Sequence, residues 1–175
     1  NIDVGGPTMV RAAAKNYNDV TVITSVDHYS GLINELKKNK GSTSLKFREK
    51  MSRLAFGETA YYDAVISNYF NKFYNINFPK RKILYTNLIE NLRYGENPHQ
   101  IGAFYSQNIK NKLEQLHGKT LSYNNYSDIF AALTISKSLP KNTGTAIVKH
   151  GNPCGVSALK NDLDSYKSAL DSDPI

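Results

Sequence analysis

The sequence predicts an α/β protein, and three observations carry that expectation. Short β-branched or apolar runs, at residues 19–24 and 145–148 among others, alternate with stretches whose apolar residues recur at helical spacing. Glycine- and proline-containing breaks separate these stretches. No internal repeat or low-complexity segment interrupts the alternation.

Gly5-Gly6-Pro7-Thr8 leads into Met9-Val10-Arg11-Ala12-Ala13-Ala14-Lys15, which reads as a glycine turn entering a helix, favoured by the proline and the alanine run. Residues 19–24 are expected as a strand. Leu32, Ile33 and Leu36 mark a helix that Gly41-Ser42-Thr43 breaks. Phe47, Met51, Leu54 and Ala55 mark another, expected to end at Gly57, before a separate helix over 59–70 that buries Tyr61, Val65 and Tyr69. Between 74 and 82 the chain turns Asn-rich and basic and contains proline, so a linker or domain boundary is placed there. Residues 83–85 and 103–105 are read as strands flanking a polar loop. Ser127-Asp128 is expected to open a helix through Ile129, Ala132, Leu133 and Ser136. Leu163, Tyr166, Ala169 and Leu170 outline the last helix.

Composition narrows the function classes. A hydrophobic share of 40% with 21% charged residues is that of a folded globular protein, not a disordered one. No apolar run approaches the length of a membrane span, and no signal pattern opens the chain, so a cytoplasmic location is expected. The single cysteine, Cys154, rules out an internal disulfide framework and reads as a small buried thiol in a turn. The four histidines show no ligand spacing, so no metal site is expected. A net charge of +7 allows an anionic partner. The basic stretches Lys37-Lys38-Asn39-Lys40 and Pro79-Lys80-Arg81-Lys82 fall at element ends, and no RNP-like signature accompanies them, so nucleic acid is not the expected partner. The chain starts at Asn1 without methionine and stops after a helical pattern, which reads as two cuts through a larger protein.

Three segments carry candidate chemistry. In the first, the Gly5-Gly6 turn at a helix start offers backbone N–H groups to an anion or polarised oxygen. Lys15 lies about 10 Å along a regular helix from Thr8, so loop and lysine share a ligand only if it is as long as a nucleotide. In the second, Arg93-Tyr94-Gly95-Glu96-Asn97-Pro98-His99-Gln100, the arginine supplies a planar fork and the tyrosine a stacking face. In the third, Ile147-Val148-Lys149-His150-Gly151-Asn152-Pro153-Cys154-Gly155, a strand ends on a Lys-His pair before a Gly/Pro turn. A neighbouring ammonium disfavours the imidazolium, leaving free imidazole to accept a proton. Taken singly, each segment also reads as an ordinary turn or solvated strand end.

Together with Leu121-Ser122-Tyr123-Asn124-Asn125, the three segments resemble, in order, the bifunctional purine-biosynthesis family that joins phosphoribosylaminoimidazolecarboxamide (AICAR) formyltransferase to IMP cyclohydrolase. The resemblance spans essentially the whole chain. It implies the C-terminal part of a methylglyoxal-synthase-like domain over residues 1–76. The start of a cytidine deaminase-like formyltransferase domain, without that fold's zinc, would follow over 77–175. It assigns His150 as the base for formyl transfer, with Lys149 beside it, and Lys15 as the proton donor/acceptor of ring closure. Arg93, Tyr94, Asp3 and Val4 are implied to hold nucleotide, with Gly5, Gly6 and Asn152 shaping the supporting loops. The implied substrates are AICAR, its formylated product on the way to IMP, and 10-formyl-tetrahydrofolate as co-substrate. The implied assembly is a homodimer. The family's upstream and downstream segments are missing here, so the 175-residue chain alone is expected to have neither activity at a useful level.

Overall fold

The computed structural model describes residues 1–108 and 113–173; Pro174 and Ile175, read above as following the last helix, lie outside that range. The chain forms two compact units, Asn1–Tyr85 and Thr86–Ile175.

The first unit is helical. α1 (Gly5–Lys15), a 3-10 turn (Val26–His28), α2 (Tyr29–Lys38) and α3 (Leu45–Phe73) follow in order. α1 packs on α3 through small residues: Ala14 and Ala55 are fully buried, Met51 is buried one turn before Ala55 on α3, and the Ser52 hydroxyl donates to the Ala14 carbonyl at 2.7 Å. Absent side-chain bulk lets the two backbones approach, and the serine satisfies a carbonyl near the end of α1 that has no partner within the helix. Arg11 lies over the Phe56 ring, 5.4 Å from its centroid, on the same interface.

Two expectations fail in this unit. Residues 19–24 form no strand, because a strand needs a ladder and no other strand exists among the described residues of the unit to supply one. Side chains hold the segment and the residues just before it instead. Arg48 donates from Nε to the Tyr17 carbonyl at 2.8 Å, from one terminal nitrogen to the Asn18 carbonyl at 2.6 Å and from the other to the Thr43 carbonyl. Thr21 and Thr43 share a hydroxyl–hydroxyl bond of 2.7 Å. The second failure is Gly57, which does not end a helix: α3 runs unbroken for 29 residues. An interior glycine costs only about 1 kcal/mol, and packing along α3 on both sides of it outweighs that. The buried face of α3 is Met51, Ser52, Ala55, Thr59 and Ala64, whereas Tyr61 and Val65 are half-buried and Tyr69 is 60% exposed.

After Phe73 the chain is irregular, as expected of 74–82. It stays with the first unit as far as Tyr85, held by Asn68 donating to the Ile83 carbonyl at 3.0 Å and by an edge-on contact of Tyr85 with Tyr61.

The second unit mixes helices with two antiparallel hairpins. β1 (Asn87–Asn91) pairs with β2 (Ala103–Ser106), and the Leu92 N–H bonds to the Gly102 carbonyl at 2.9 Å just beyond the ladder. The first strand begins at Asn87 and not at residue 83 because Asn87 pairs with Ser106, the last residue of β2, and residues 83–85 belong to the first unit. Phe104 on β2 stacks on Tyr126 of α4 (Tyr123–Ser138), ring centroids 4.7 Å apart. α4 starts earlier than Ser127-Asp128. Ser122 is its N-cap in a reciprocal capping box with Asn125, where asparagine takes the place of the usual Glu or Gln. Ser127 and Asp128 therefore lie inside the helix, and Asp128 is released from capping.

β3 (Thr145–Lys149) and β4 (Asn152–Ser157) form the second hairpin, against which α4 and α5 (Asp162–Leu170) pack. The expected turn over 151–155 is narrower than the composition suggested. His150 and Gly151 alone make it, and residues 152–157 return as strand. Pro153, which has no N–H for a ladder, is accommodated by a register irregularity beside Ile147 and Val148. Cys154 is half-buried on this strand, not in the turn. Alternation of helix and strand, expected in both halves, is present in the second half alone among the described residues. No helix among these residues is long and apolar enough to cross a membrane.

Candidate active site

In the first unit, Asp3 is the organising residue. Its backbone N–H donates to the Tyr62 hydroxyl at 2.8 Å, and its carboxylate accepts the Gly6 N–H at 3.2 Å. Gly5 and Gly6 are the first turn of α1 and not a loop before it, with Val4 as N-cap. A side chain at Gly6 would run into the Asp3 carboxylate, so glycine there allows this close approach. Of the donors expected there, the Gly6 N–H is held by Asp3, Pro7 has none, and the Thr8 N–H bonds the Val4 carbonyl. An open cleft of about 460 Å³ adjoins these residues, lined by Asp3, Gly6, Val10, Glu58 and Tyr62 among others. Two carboxylates on its wall favour ligand groups that donate hydrogen bonds over phosphate. Val4 is 71% exposed. Lys15 is exposed in the last turn of α1, about 15 Å along the axis from Gly5 by helix rise, and does not line that cleft.

In the second unit the other two segments meet. The loop after Arg93 is closed by backbone bonds from Gly95 N–H to the Gln100 carbonyl (2.8 Å) and from Gln100 N–H to the Asn97 carbonyl (3.0 Å). Gly95 is buried, and a Cβ there would lie 2.8 Å from that of Gln100, which explains the glycine. The loop is sewn to the start of α4: Arg93 N–H bonds the Leu121 carbonyl, Tyr123 N–H the Tyr94 carbonyl, and the Asn124 side chain the Glu96 carbonyl at 3.0 Å. The Arg93 guanidinium sits over the Tyr94 ring, 4.8 Å from its centroid, and bonds the Tyr94 hydroxyl at 3.2 Å.

The β3–β4 turn docks on the same helix. Gly151 N–H donates to Asp128 Oδ1 at 2.7 Å. A cleft of about 270 Å³ results, with Glu96 from the loop, Tyr123, Asn124 and Asp128 from α4, and His150 from the turn. A neighbouring cleft of about 520 Å³ is lined by Arg93, His117, Lys119, Asn125 and, again, Asp128. His150 and part of the Arg93-to-Gln100 loop are thus brought together. Arg93 lines the adjacent cleft, Tyr94 supports Arg93, and Lys149 is exposed at the strand end opposite Asn152, outside the His150 cleft. Sequence reading missed Asp128, Asn124 and Lys119 as cleft residues. The available signal was the Ser122–Asn125 capping box, which places Asn124 and Asp128 one turn apart on a single helix face.

Loop, α4 and hairpin turn thus form a cleft lined by Arg93, His117 and Lys119 beside a histidine-bearing turn. The chain belongs to the AICARFT/IMPCHase bienzyme family, whose model matches residues 13–175. It is similar to the bifunctional purine biosynthesis protein PurH of Bradyrhizobium diazoefficiens, 46% identical over 99% of this chain and 34% of that protein. PurH of Persephonella marina is 44% identical over 99% of the chain and 35% of its own length, and PurH of Ruegeria sp. 42% over 99% and 34%. The chain spans about a third of the length of these curated relatives.

Proposed function

We propose that the full-length protein catalyses the last two steps of IMP synthesis, and that this chain supplies part of each centre. The convergence of the His150 turn and the Arg93 loop on one face of α4 supports this reading most directly. In formyl transfer, the 5-amino group of AICAR attacks the formyl carbon of 10-formyl-tetrahydrofolate. That amine is a weak nucleophile because its lone pair is delocalised into the imidazole ring and its carboxamide. His150 accepts its proton as the new C–N bond forms, and the bond from the formyl carbon to N10 of the folate breaks with N10 taking up a proton. Lys149 assists proton movement or stabilises the developing oxyanion from the neighbouring strand end. Arg93, braced on Tyr94, supplies a planar cation for the nucleotide, and Lys119 on the same cleft adds charge suited to its phosphate.

In ring closure, the carboxamide nitrogen attacks the formyl carbon and water leaves. Lys15 acts as proton donor/acceptor, and Asp3 and Val4 contact the nucleotide. The carboxylate of Asp3 fits the carboxamide and amine end, and a nucleotide is long enough to extend from there toward Lys15. Cyclohydrolase residues belong to 1–76 and formyltransferase residues to 77–175, as parts of a methylglyoxal-synthase-like and a cytidine deaminase-like domain. Every residue named for each reaction lies within one compact unit. A cytoplasmic homodimer is the assembly that goes with this reading.

The test is to assay transfer and cyclisation separately in the full-length protein and its variants. Lys15→Ala is expected to lose chiefly cyclisation and His150→Ala chiefly transfer, each by two or more orders of magnitude, in keeping with typical general acid–base contributions of about 10²–10⁴. Retention of both activities by both variants would sink the assignment.

A further inference from the structure

We infer that Asp128 and Asn152 form a two-sided clamp on the His150–Gly151 peptide and so act as positioning residues for His150. The inference rests on the formyl-transfer reading above. His150 has φ of 54° and Gly151 of 73°, so both turn residues lie in the left-handed region that a two-residue hairpin of the I′ type requires. Asparagine, aspartate or glycine would ordinarily occupy the first of these positions, and a histidine there trades turn propensity for chemistry. What keeps it there is visible in one peptide unit. The Gly151 N–H donates to Asp128 Oδ1 at 2.7 Å, and the His150 carbonyl accepts from Asn152 Nδ2 at 3.0 Å. Those are the N–H and the C=O of the same peptide bond, gripped from opposite ends.

The two grips differ in origin. Asn152 is the register partner of Lys149 and belongs to the hairpin itself. Asp128 reaches in from α4, the helix whose Asn124 also holds the Glu96 carbonyl of the Arg93 loop. Asp128 therefore ties the base-bearing turn to the element that carries the opposite wall of the cleft. Its side chain is available for this because capping of α4 falls to Ser122 and Asn125. Loss of either grip leaves the hairpin paired but frees the peptide plane, and with it the direction of the imidazole.

Asp128 also lines the Arg93 cleft, but the cationic groups proposed for the nucleotide are Arg93 and Lys119, so kcat is expected to fall much further than KM rises. In the full-length protein, Asp128→Ala is expected to lower kcat for formyl transfer at least tenfold while KM for AICAR stays within about threefold, consistent with loss of a charge-assisted hydrogen bond. Asp128→Asn, which keeps an acceptor oxygen, recovers part of that loss. Asn152→Ala lowers kcat several-fold. Because both side chains act on one peptide, the double variant falls short of the product of the singles. Amide hydrogen exchange at Gly151 gives a readout independent of activity: at least tenfold faster exchange in Asp128→Ala, intermediate in Asp128→Asn. Unchanged Gly151 exchange, or unchanged transfer in Asp128→Ala where His150→Ala abolishes it, overturns the clamp. A kcat loss fully independent of Asn152→Ala also overturns it. Full transfer activity in His150→Ala instead overturns the functional reading. If Asp128→Ala does not fold, Asp128→Asn and Asn152→Ala carry the same comparison.

Discussion

Gly155→Ala is the substitution whose outcome most directly tests the packing behind the site. Gly155 is buried on β4, opposite Ile147 of β3, and α5 lies against it with Ala169 1% exposed. A Cβ at Gly155 would overlap the Ala169 carbonyl oxygen and lie 3.3 Å from its Cα. These are backbone atoms of a helix and cannot rotate away, so α5 has to shift as a body. Overpacking a well-filled core costs about 1–3 kcal/mol, and an obstructing backbone puts this site at the upper end. Against that, alanine lowers the conformational entropy of the unfolded chain, a gain of about 0.4–1 kcal/mol. The net expectation is a loss of about 2–2.5 kcal/mol in the second unit, or on the order of 1–2 M in urea midpoint for a unit of this size. Gly57→Ala is the matched control. Gly57 sits inside α3 with nothing near its missing Cβ, so alanine there should stabilise the first unit by about 1 kcal/mol. Hydrogen exchange followed through a urea titration reads the two units separately, which a single optical transition would not. An unchanged or raised midpoint for the β3–β4 amides in Gly155→Ala would refute the described packing of α5 on the hairpin.

Further outcomes follow from single anchors. Arg48→Lys should destabilise the first unit by about 2–3 kcal/mol, because a point ammonium cannot replace a fork that reaches the Tyr17, Asn18 and Thr43 carbonyls together; thermal melts of the variant check this. Ser122→Ala removes the cap of α4 and should cost about 1 kcal/mol, with faster exchange at the Asn125 amide. The Tyr126 hydroxyl is pushed above its ordinary range by burial, then by its hydrogen bond to Glu90 and the charge of that group. A raised folded-state value means the contribution is complete below about pH 10 and is lost as pH rises through the folded value. Tyr126→Phe should therefore weaken the alkaline loss of stability in the second unit, measured as urea midpoints at pH 8 and above pH 10.

Local signals in the sequence were enough to locate α2, α5, β2 and β3, each of which has a compact apolar pattern with its own breaker or cap. They were also enough to pick out the Arg93 loop and the Lys149-His150 strand end, because runs of special residue types are visible without any partner. Elements whose form depends on a partner were not legible. Residues 19–24 have strand composition but, among the described residues of the unit, no strand to pair with; Thr43 bonds Thr21, and Arg48 holds Tyr17 and Asn18 just before them. Gly57 looks like a stop, yet the packing on either side of it carries α3 through. Tyr69 follows the helical period but faces outward, 60% exposed.

The sequence by itself determined the family, since long ordered blocks of residues survive without reference to coordinates. It also determined which side chains are chemically able to act, because imidazole, ammonium and guanidinium bring their chemistry wherever they stand. Tertiary structure alone decided which of them lie together. A capping box starts α4 at Tyr123, so Asn124 and Asp128 share a face, and the Arg93 loop and the His150 turn are both tied to that face. It likewise decided that His150 and Lys149, adjacent in sequence, part company: one enters a left-handed turn over the cleft, and the other ends a strand beside it. The capping box is a local signal, but the bonds that bring the loop and the turn onto that face span tens of residues, and no local pattern encodes those.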